Sequence, residues 1–367
     1  MLRVAVTKRR GSFVLDAKFA MPTPGVAALF GRSGCGKTTL INIIAGLLRA
    51  DTGLVALDDE VLLDTACGTD VAAERRRIGY VFQDARLFPH LRVEANLRYA
   101  QRRAIGQRYV GFDAVADLLA LGPLLGRRTH QLSGGERQRI AIGRALLSQP
   151  RLILLDEPLA SLDAARREEI LPYLESLRDQ LAVPMVYVSH QFDDVLRLAT
   201  HLVLIDGGTT VAEGGLGEMS LRPELRRIIG ADAVGAIVDG DVRGTDAASG
   251  LTRVTIGRGE LALPAAGLAA GAKMRVQILA RDVIVATEQP HHLSVRNVLP
   301  GYIAGVTSDA ADADLIAIDI GGTQILARVT TAATRELGLR SGMRVWALVK
   351  AVSMRGRSFA APAFPDA

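Results

Sequence analysis

Nine residues constrain this chain more than any others. GRSGCGKTT, at 31–39, lies between the apolar run VAALF and the helical run LINIIAGLL. A strand that enters a glycine-rich turn and leaves as a helix has few ways to close. Gly34 and Gly36 let the backbone turn tightly and aim its N–H groups inward, and the helix starting near Lys37 adds its positive N-terminus. That concavity suits phosphate oxygens. Lys37 is long enough to reach the β- and γ-phosphates of a nucleotide, and the Thr38 hydroxyl suits Mg²⁺. Gly31, Arg32, Ser33, Cys35 and Thr39 complete the candidate loop. A turn that binds nothing is the competing reading, and the strand–loop–helix context weighs against it. Cys35 reads as a small filler side chain rather than a redox switch.

The surroundings fit such a loop. Over residues 1–230, five short apolar runs (VAALF, IGYVF, LILLD, MVYVS, HLVLI) alternate with helical patterns, so an α/β domain with a largely parallel core sheet is expected. After Gly230 the helical periodicity fades and short alternating strands take over. Residues 251–264 resemble 315–328, and 271–283 resemble 342–354. Two small OB-like β-barrel units of similar plan follow, a first unit or connector at 231–289 and a second at 290–356. A length of 367 residues accommodates these pieces.

Composition narrows the function. Two cysteines argue against a disulfide framework. No apolar run reaches membrane-spanning length, and the N-terminal residues lack a signal-peptide core, so a soluble chain that serves any membrane from its side is expected. The net charge of +5 suits anionic ligands but is too small to imply nucleic acid, and 4% aromatics leave little for base stacking.

Two further stretches carry chemistry. RLILLDEP (151–158) is a buried-type strand ending in two acids, where an α/β sheet places metal chemistry. Asp156 is expected to hold Mg²⁺ and Glu157 to polarise a water for attack on the γ-phosphate. QLSGGERQRIAIGRALL (131–147) sets Ser133, Gly134 and Gly135 before a long helix, a second phosphate-binding device. Two such devices in one chain suggest that two chains share each nucleotide.

GRSGCGKTT, LSGGERQR, LILLDEP, ASLD (160–163) and VYVSHQFDD (186–194) resemble, in order, the motif set of ABC-type ATPases, members of the α/β P-loop NTPases. The resemblance implies a head-to-tail homodimer with ATP between the phosphate loop of one chain and Ser133–Gly135 of the other. It places Asp163 in the loop that crosses the interface, His190 at the γ-phosphate and Phe13 on the adenine. Gln83, which closes the strand of GYVFQDARLFPHLRVEANLRYA (79–100), resembles the glutamine that touches Mg²⁺ and the attacking water. Residues 84–100, with Pro89, Leu91, Arg86 and Arg92, would then dock a membrane-embedded permease. The implied setting is peripheral, on the cytoplasmic face of the inner membrane, with a periplasmic solute-binding protein as an indirect partner.

The tail adds a solute. HLSVRNVLPGYIAGV (292–306) resembles the opening of molybdate-binding Mop- or TOBE-type domains, and VWALVKAVSM (345–354) their closing strand. Ser294, Arg296 and Lys350 would offer hydroxyl, guanidinium and ammonium groups to a tetrahedral dianion. Surface charges on a barrel used only for dimer contact are the alternative. The chain is thus expected to be the ATP-hydrolysing subunit of an importer for molybdate or tungstate. Alternatives are an importer of sulfate, ferric ion or sugar, and a non-transport ABC ATPase.

Overall fold

The computed structural model describes residues 1–106, 108–160, 162–181, 183–264, 268–310 and 312–359. The chain divides into two compact units, Met1–Gly215 and one from Leu216 onward.

The first unit carries strands β1 (Leu2–Arg10), β2 (Phe13–Met21) and β3 (Val26–Phe30), helix α1 (Lys37–Ala45), and strands β4 (Thr52–Leu57), β5 (Glu60–Asp64), β6 (Thr69–Asp70) and β7 (Ile78–Val81). Helices α2 (Val93–Arg103), α3 (Phe112–Leu118) and α4 (Gly134–Leu147) follow. Then come β8 (Leu152–Asp156), α5 (Ala164–Leu181), β9 (Met185–Ser189), α6 (Phe192–Leu198), β10 (His201–Asp206) and β11 (Thr209–Gly215). All eleven strands form one sheet, in the order β6-β5-β4-β1-β2-β11-β10-β3-β9-β8-β7.

The five apolar runs of the sequence are β3, β7, β8, β9 and β10. They are consecutive and parallel at one side of the sheet. Strands β3, β8 and β9 are buried along their whole length, because helices cover one face and the β1–β2 layer with α1 covers the other. Alternate residues serve the two cores: Ile153 and Leu155 pack with Leu97, Ile140 and Leu174, whereas Leu152 and Leu154 pack with Leu40, Ile44 and Phe19. The antiparallel wing β2-β1-β4-β5-β6 was not foreseen. Its strands alternate inward and outward residues and lack long apolar runs.

Helix α1 is short, and both its ends are held. Gly36 and Gly46 flank it in left-handed conformations, and the buried Arg76 guanidinium donates to the Ile43 and Ile44 carbonyls at 2.9 Å. Arg76 also donates to Val71 O at 2.7 Å and pairs with Asp70 at 3.0 Å, so the orphan carbonyls of the helix end are tied to the segment leading into β7.

The second unit opens with α7 (Leu216–Ser220) and α8 (Pro223–Ile229). Strands β12 (Gly235–Thr245), β13 (Thr252–Ile256), β14 (Gly259–Leu263), β15 (Lys273–Leu279) and β16 (Val283–Ala286) follow. The plan then repeats: β17 (Asn297–Ala310), β18 (Ala313–Asp319), β19 (Gln324–Thr330), α9 (Thr331–Glu336), β20 (Arg344–Val349) and β21 (Arg355–Phe359). The sheets run β14-β13-β12-β15-β21 and β16-β20-β17-β18-β19. The last strand of each repeat therefore sits in the sheet of the other. Both sheets share one apolar core, with Val254, Ile278, Ile316 and Val345 among its members. Asn297 is buried in this unit: it accepts from Ala262 N at 2.7 Å and donates to Ala262 O and Val349 O at 3.0 and 3.1 Å, which joins β14, β17 and β20.

Candidate functional site

The glycines of 31–36 are there for space and for backbone angle. A Cβ on Gly31 would stand 2.0 Å from the Ile205 carbonyl oxygen. Gly34 and Gly36 have φ of +81° and +106°, in the region L-residues avoid. The turn lets Lys37 fold back, nearly buried, to donate from Nζ to Gly31 O at 2.8 Å and Arg32 O at 3.0 Å, with Cys35 Sγ at 3.8 Å. Arg32 and Ser33 are exposed and Cys35 is buried. A cavity of about 370 Å³ opens here, lined by Phe13, Ser33, Gly34, Gly36, Lys37, Thr38, Thr39 and Glu157, and also by Arg10. The Phe13 ring lies against Gly36 and Gly208, where an added Cβ would come within 3.0 and 3.2 Å of it.

The acidic side comes from β8. Asp156 is 7% exposed; Thr38 Oγ1 donates to its Oδ1 at 3.3 Å, and the Tyr80 hydroxyl lies 3.1 Å from both Asp156 Oδ2 and Asn42 Oδ1. Burial pushes the Asp156 carboxyl above its ordinary value, against the pull of the Tyr80 and Thr38 hydrogen bonds and the Lys37 charge. Burial, then the Asp156 charge, also pushes the Tyr80 phenol up. Glu157 leaves the strand line through a φ of +47°, an uncommon conformation for a non-glycine residue, and its N–H is held by Val188 O at 3.1 Å. The turn aims Glu157 into the cavity and brings its Oε2 within 3.3 Å of His190 Nδ1, just past the end of β9.

Other expected site residues stand apart from this cavity. Gln83 is exposed, two positions beyond the end of β7, and does not line it. Ser133 is exposed at the start of α4 in a reciprocal cap, its Oγ accepting from Glu136 N at 3.2 Å while Glu136 Oε2 accepts from Ser133 N at 2.7 Å. Gly134 and Gly135 follow in the first turn, away from the phosphate loop of the same chain. The Asp163 side chain is 60% exposed and accepts from Arg166 N at 2.9 Å at the start of α5. Ser161 of ASLD lies outside the described residues.

In the second unit, Ser294, Arg296 and Lys350 are all exposed. Asn297 faces Val349 across the β17–β20 ladder, so Arg296 and Lys350 occupy the next step beyond the paired strands. Among the described residues no hydrogen bond or ion pair engages the three side chains. The three side chains are therefore open to solvent, Arg296 and Lys350 beside the strand ends that Asn297 fastens.

Comparison with known proteins decides the family. Residues 14–160 match the ABC transporter family model and residues 293–355 the TOBE domain. A molybdenum import ATP-binding protein of Mesorhizobium japonicum is 48% identical over 96% of this chain and 95% of its own length. Its counterpart in Paramagnetospirillum magneticum is 45% identical over 96% and 98%. The chain belongs to the molybdenum import ATP-binding proteins of the ABC transporter family. Among solved structures, an ATP-binding cassette of an ABC transporter superposes with a TM-score of 0.51 at 26% identity, covering 59% of this chain and 91% of that one. The cbiO1 protein of Clostridium perfringens shares the fold, with a TM-score of 0.52 at 24% identity over 62% and 92%.

Within this family member, several residues around the site were not legible from motifs. Arg10 reaches the cavity because β1 and β2 form a hairpin that sets Arg10 opposite Phe13. Tyr80 meets Asp156 through pairing of β7 with β8, and packing of α1 brings Asn42 to the Tyr80 hydroxyl. Only the position of Tyr80 in an apolar strand, as its lone phenol, could have marked it. The stretch after Gln83 builds a groove of about 420 Å³ on α2, lined by Leu91, Glu94, Ala95, Arg98, Tyr99, Arg102 and Arg103. Tyr99 packs on Phe88 at 4.6 Å between ring centres, Arg103 covers Tyr99, and Glu94 pairs with Arg98 at 2.7 Å. Among the described residues no helix is long and apolar enough to cross a membrane.

Proposed function

We propose that this chain is the ATP-hydrolysing, energy-coupling subunit of a molybdate importer. The observation that carries this reading is its match, nearly end to end and at 44–48% identity, to molybdenum import proteins. In the reaction, Lys37 leaves the loop carbonyls for phosphate oxygens, and the loop N–H groups hold the β-phosphate. Glu157 accepts a proton from the attacking water. His190, at 3.3 Å, fixes the Glu157 carboxylate and meets the γ-phosphate. Phe13 stacks on the base. The donor set fits Mg²⁺: Thr38 and Asp156 offer hard oxygens, and among the described residues no cluster of three or more His, Cys, Asp or Glu forms a cage, as befits an ion held chiefly by water and phosphate. When bound, Mg²⁺ neutralises charge on the β- and γ-phosphates. Gln83 joins the site by movement of the loop beyond β7.

Ser133–Gly135 and Asp163 serve a second copy, whose phosphate loop they complete in a head-to-tail dimer. The exposure of Ser133 and Asp163, and the absence of all four residues from the cavity lining of their own chain, support this assignment. The α2 groove receives a cytoplasmic segment of the permease on the inner face of the membrane, and a periplasmic binding protein delivers solute to that permease. Ser294, Arg296 and Lys350 bind molybdate.

The test is ATP-driven molybdate uptake in vesicles holding the full chain and its membrane partners. Uptake of molybdate that sulfate does not block, and that is lost with Glu157→Gln, supports the reading. Transport of another solute in place of molybdate refutes the solute assignment while leaving the ATPase intact.

A further inference from the structure

The starting ends of four parallel strands surround a second cavity, of about 420 Å³, in the first unit. Pro24 stands just before β3, Arg77 before β7, Pro150 and Arg151 before β8, and Pro184 before β9. The far ends of the same strands lead into Gly31, Tyr80, Asp156 and His190. The cavity thus touches the roots of the four parallel strands that lead to the phosphate loop, Tyr80, Asp156 and His190, on the opposite edge of the sheet.

Its lining is mixed. Pro24, Pro150, Pro184, Leu181 and Val183 give an apolar wall. Thr23, Tyr109, Asp58 and two cations line the rest; the Asp58 carboxylate is taken up by the N-terminal ammonium and Arg151, and the two cations differ. Arg151 is already neutralised by Glu60 and, at 3.8 Å, by Asp58. Arg77 has no hydrogen bond or ion-pair partner among the described residues, and its Nε is buried without one. The guanidinium lies against the Gly106 backbone. A Cβ there would come within 2.7 Å of Nη2, while the Arg77 carbonyl accepts from Arg151 N at 2.8 Å. A buried donor without a partner loses free energy that a ligand oxygen would restore. A planar fork beside an apolar wall fits a carboxylate joined to a flat apolar body.

We propose that this cavity binds a small organic carboxylate, with its charge on Arg77 and its body against the three prolines. The assignment is independent of the importer reading, because it uses neither ATP nor molybdate. The test is saturation-transfer NMR on the full chain with benzoate, its uncharged analogue benzamide, and inorganic phosphate. Benzoate is expected to bind and benzamide to bind at least about tenfold more weakly, as expected for loss of one charge-assisted hydrogen-bond pair. Arg77→Gln is expected to weaken benzoate by a similar factor and Arg77→Lys by less, both variants still binding ATP. Equal binding of benzamide, full benzoate binding by Arg77→Gln, phosphate bound as well as benzoate, or displacement of benzoate by ATP from the unaltered chain would each overturn the proposal.

Discussion

Glu157 Oε2 and His190 Nδ1 stand 3.3 Å apart at the ends of two adjacent parallel strands, one carboxylate and one imidazole brought together by the β8–β9 register that pairs Asp156 with Val188. Glu157→Gln keeps the shape and removes the base. ATP turnover is expected to fall by about 10²–10⁴-fold with ATP affinity unchanged. His190→Ala should lower turnover by about 10²-fold or more. Single-turnover assays alongside nucleotide titration separate the two effects, and unchanged turnover in either variant would remove that residue from the mechanism.

Asp156 is expected to oppose stability while serving function. Its folded pKa is raised above the ordinary 3.8, chiefly by burial. The folded chain therefore holds this proton more tightly than the unfolded chain, and the associated stability is full below 3.8 and is lost as pH rises through the folded value. At pH 7 Asp156→Asn should raise the Tm of the nucleotide-free chain and weaken Mg²⁺-dependent ATP binding. The gain in Tm should shrink as the pH falls toward 3.8. A Tm that drops at pH 7 would contradict the burial argument.

Gly31 and Gly34 differ in kind although they belong to one motif. Gly31→Ala drives a Cβ into the Ile205 carbonyl at 2.0 Å, whereas Gly34→Ala meets nothing within 4 Å and carries only the strain of a +81° φ. Gly34→Ala should cost about 1–2 kcal/mol of stability, and Gly31→Ala more than that. Denaturant midpoints measure the order, and equal losses would refute the steric assignment.

In the second unit Asn297 makes three hydrogen bonds in a buried position. Asn297→Ala leaves Ala262 and Val349 backbone groups without partners and should cost about 2–4 kcal/mol. Calorimetry of the full chain reads the loss, and ATP binding in the first unit serves as the internal control.

The α2 groove presents Arg98, Arg102 and Arg103 against one carboxylate, Glu94. Reversing two charges, Arg98→Glu with Arg102→Glu, is expected to abolish co-purification with the permease. The ATPase activity of the isolated chain should stay within about twofold, since surface changes of this type rarely exceed ~0.5 kcal/mol. Retained co-purification would place the docking surface elsewhere.

How much of this was legible follows from how local each signal is. The phosphate loop is a local device, and the strand–turn–helix at Gly31 to Thr39 was readable because tight turn and helix start coincide in nine positions. β3, β8 and β9 were readable because burial on both faces demands unbroken apolar runs, and β7 and β10 because they are nearly as apolar. The β1–β2 wing was not, since one-sided strands such as FVLDAKFAM alternate and carry polar residues. Arg10, Asn42 and Arg76 were out of reach for a different reason: each acts through pairing or packing between segments far apart in sequence. The motif SVRN was noticed for Arg296, yet the structure shows its asparagine to be the buried one. The internal repeat was visible, but the exchange of last strands was not, because β16 and β21 have the same pattern whichever sheet they join.

That exchange has a consequence for biosynthesis. β15 pairs with β12 on one side and on the other with β21, the last strand among the described residues. As the polypeptide leaves the ribosome, β15 is complete by Leu279 while its neighbour at 355–359 has not yet been made. At about 5–20 residues per second the interval is about 4–15 s. For that time the first repeat presents an unpaired strand edge, the kind of surface on which nascent chains mispair. The synthesis of residues 355–359, rather than any earlier step, is when this edge becomes safe from its neighbours.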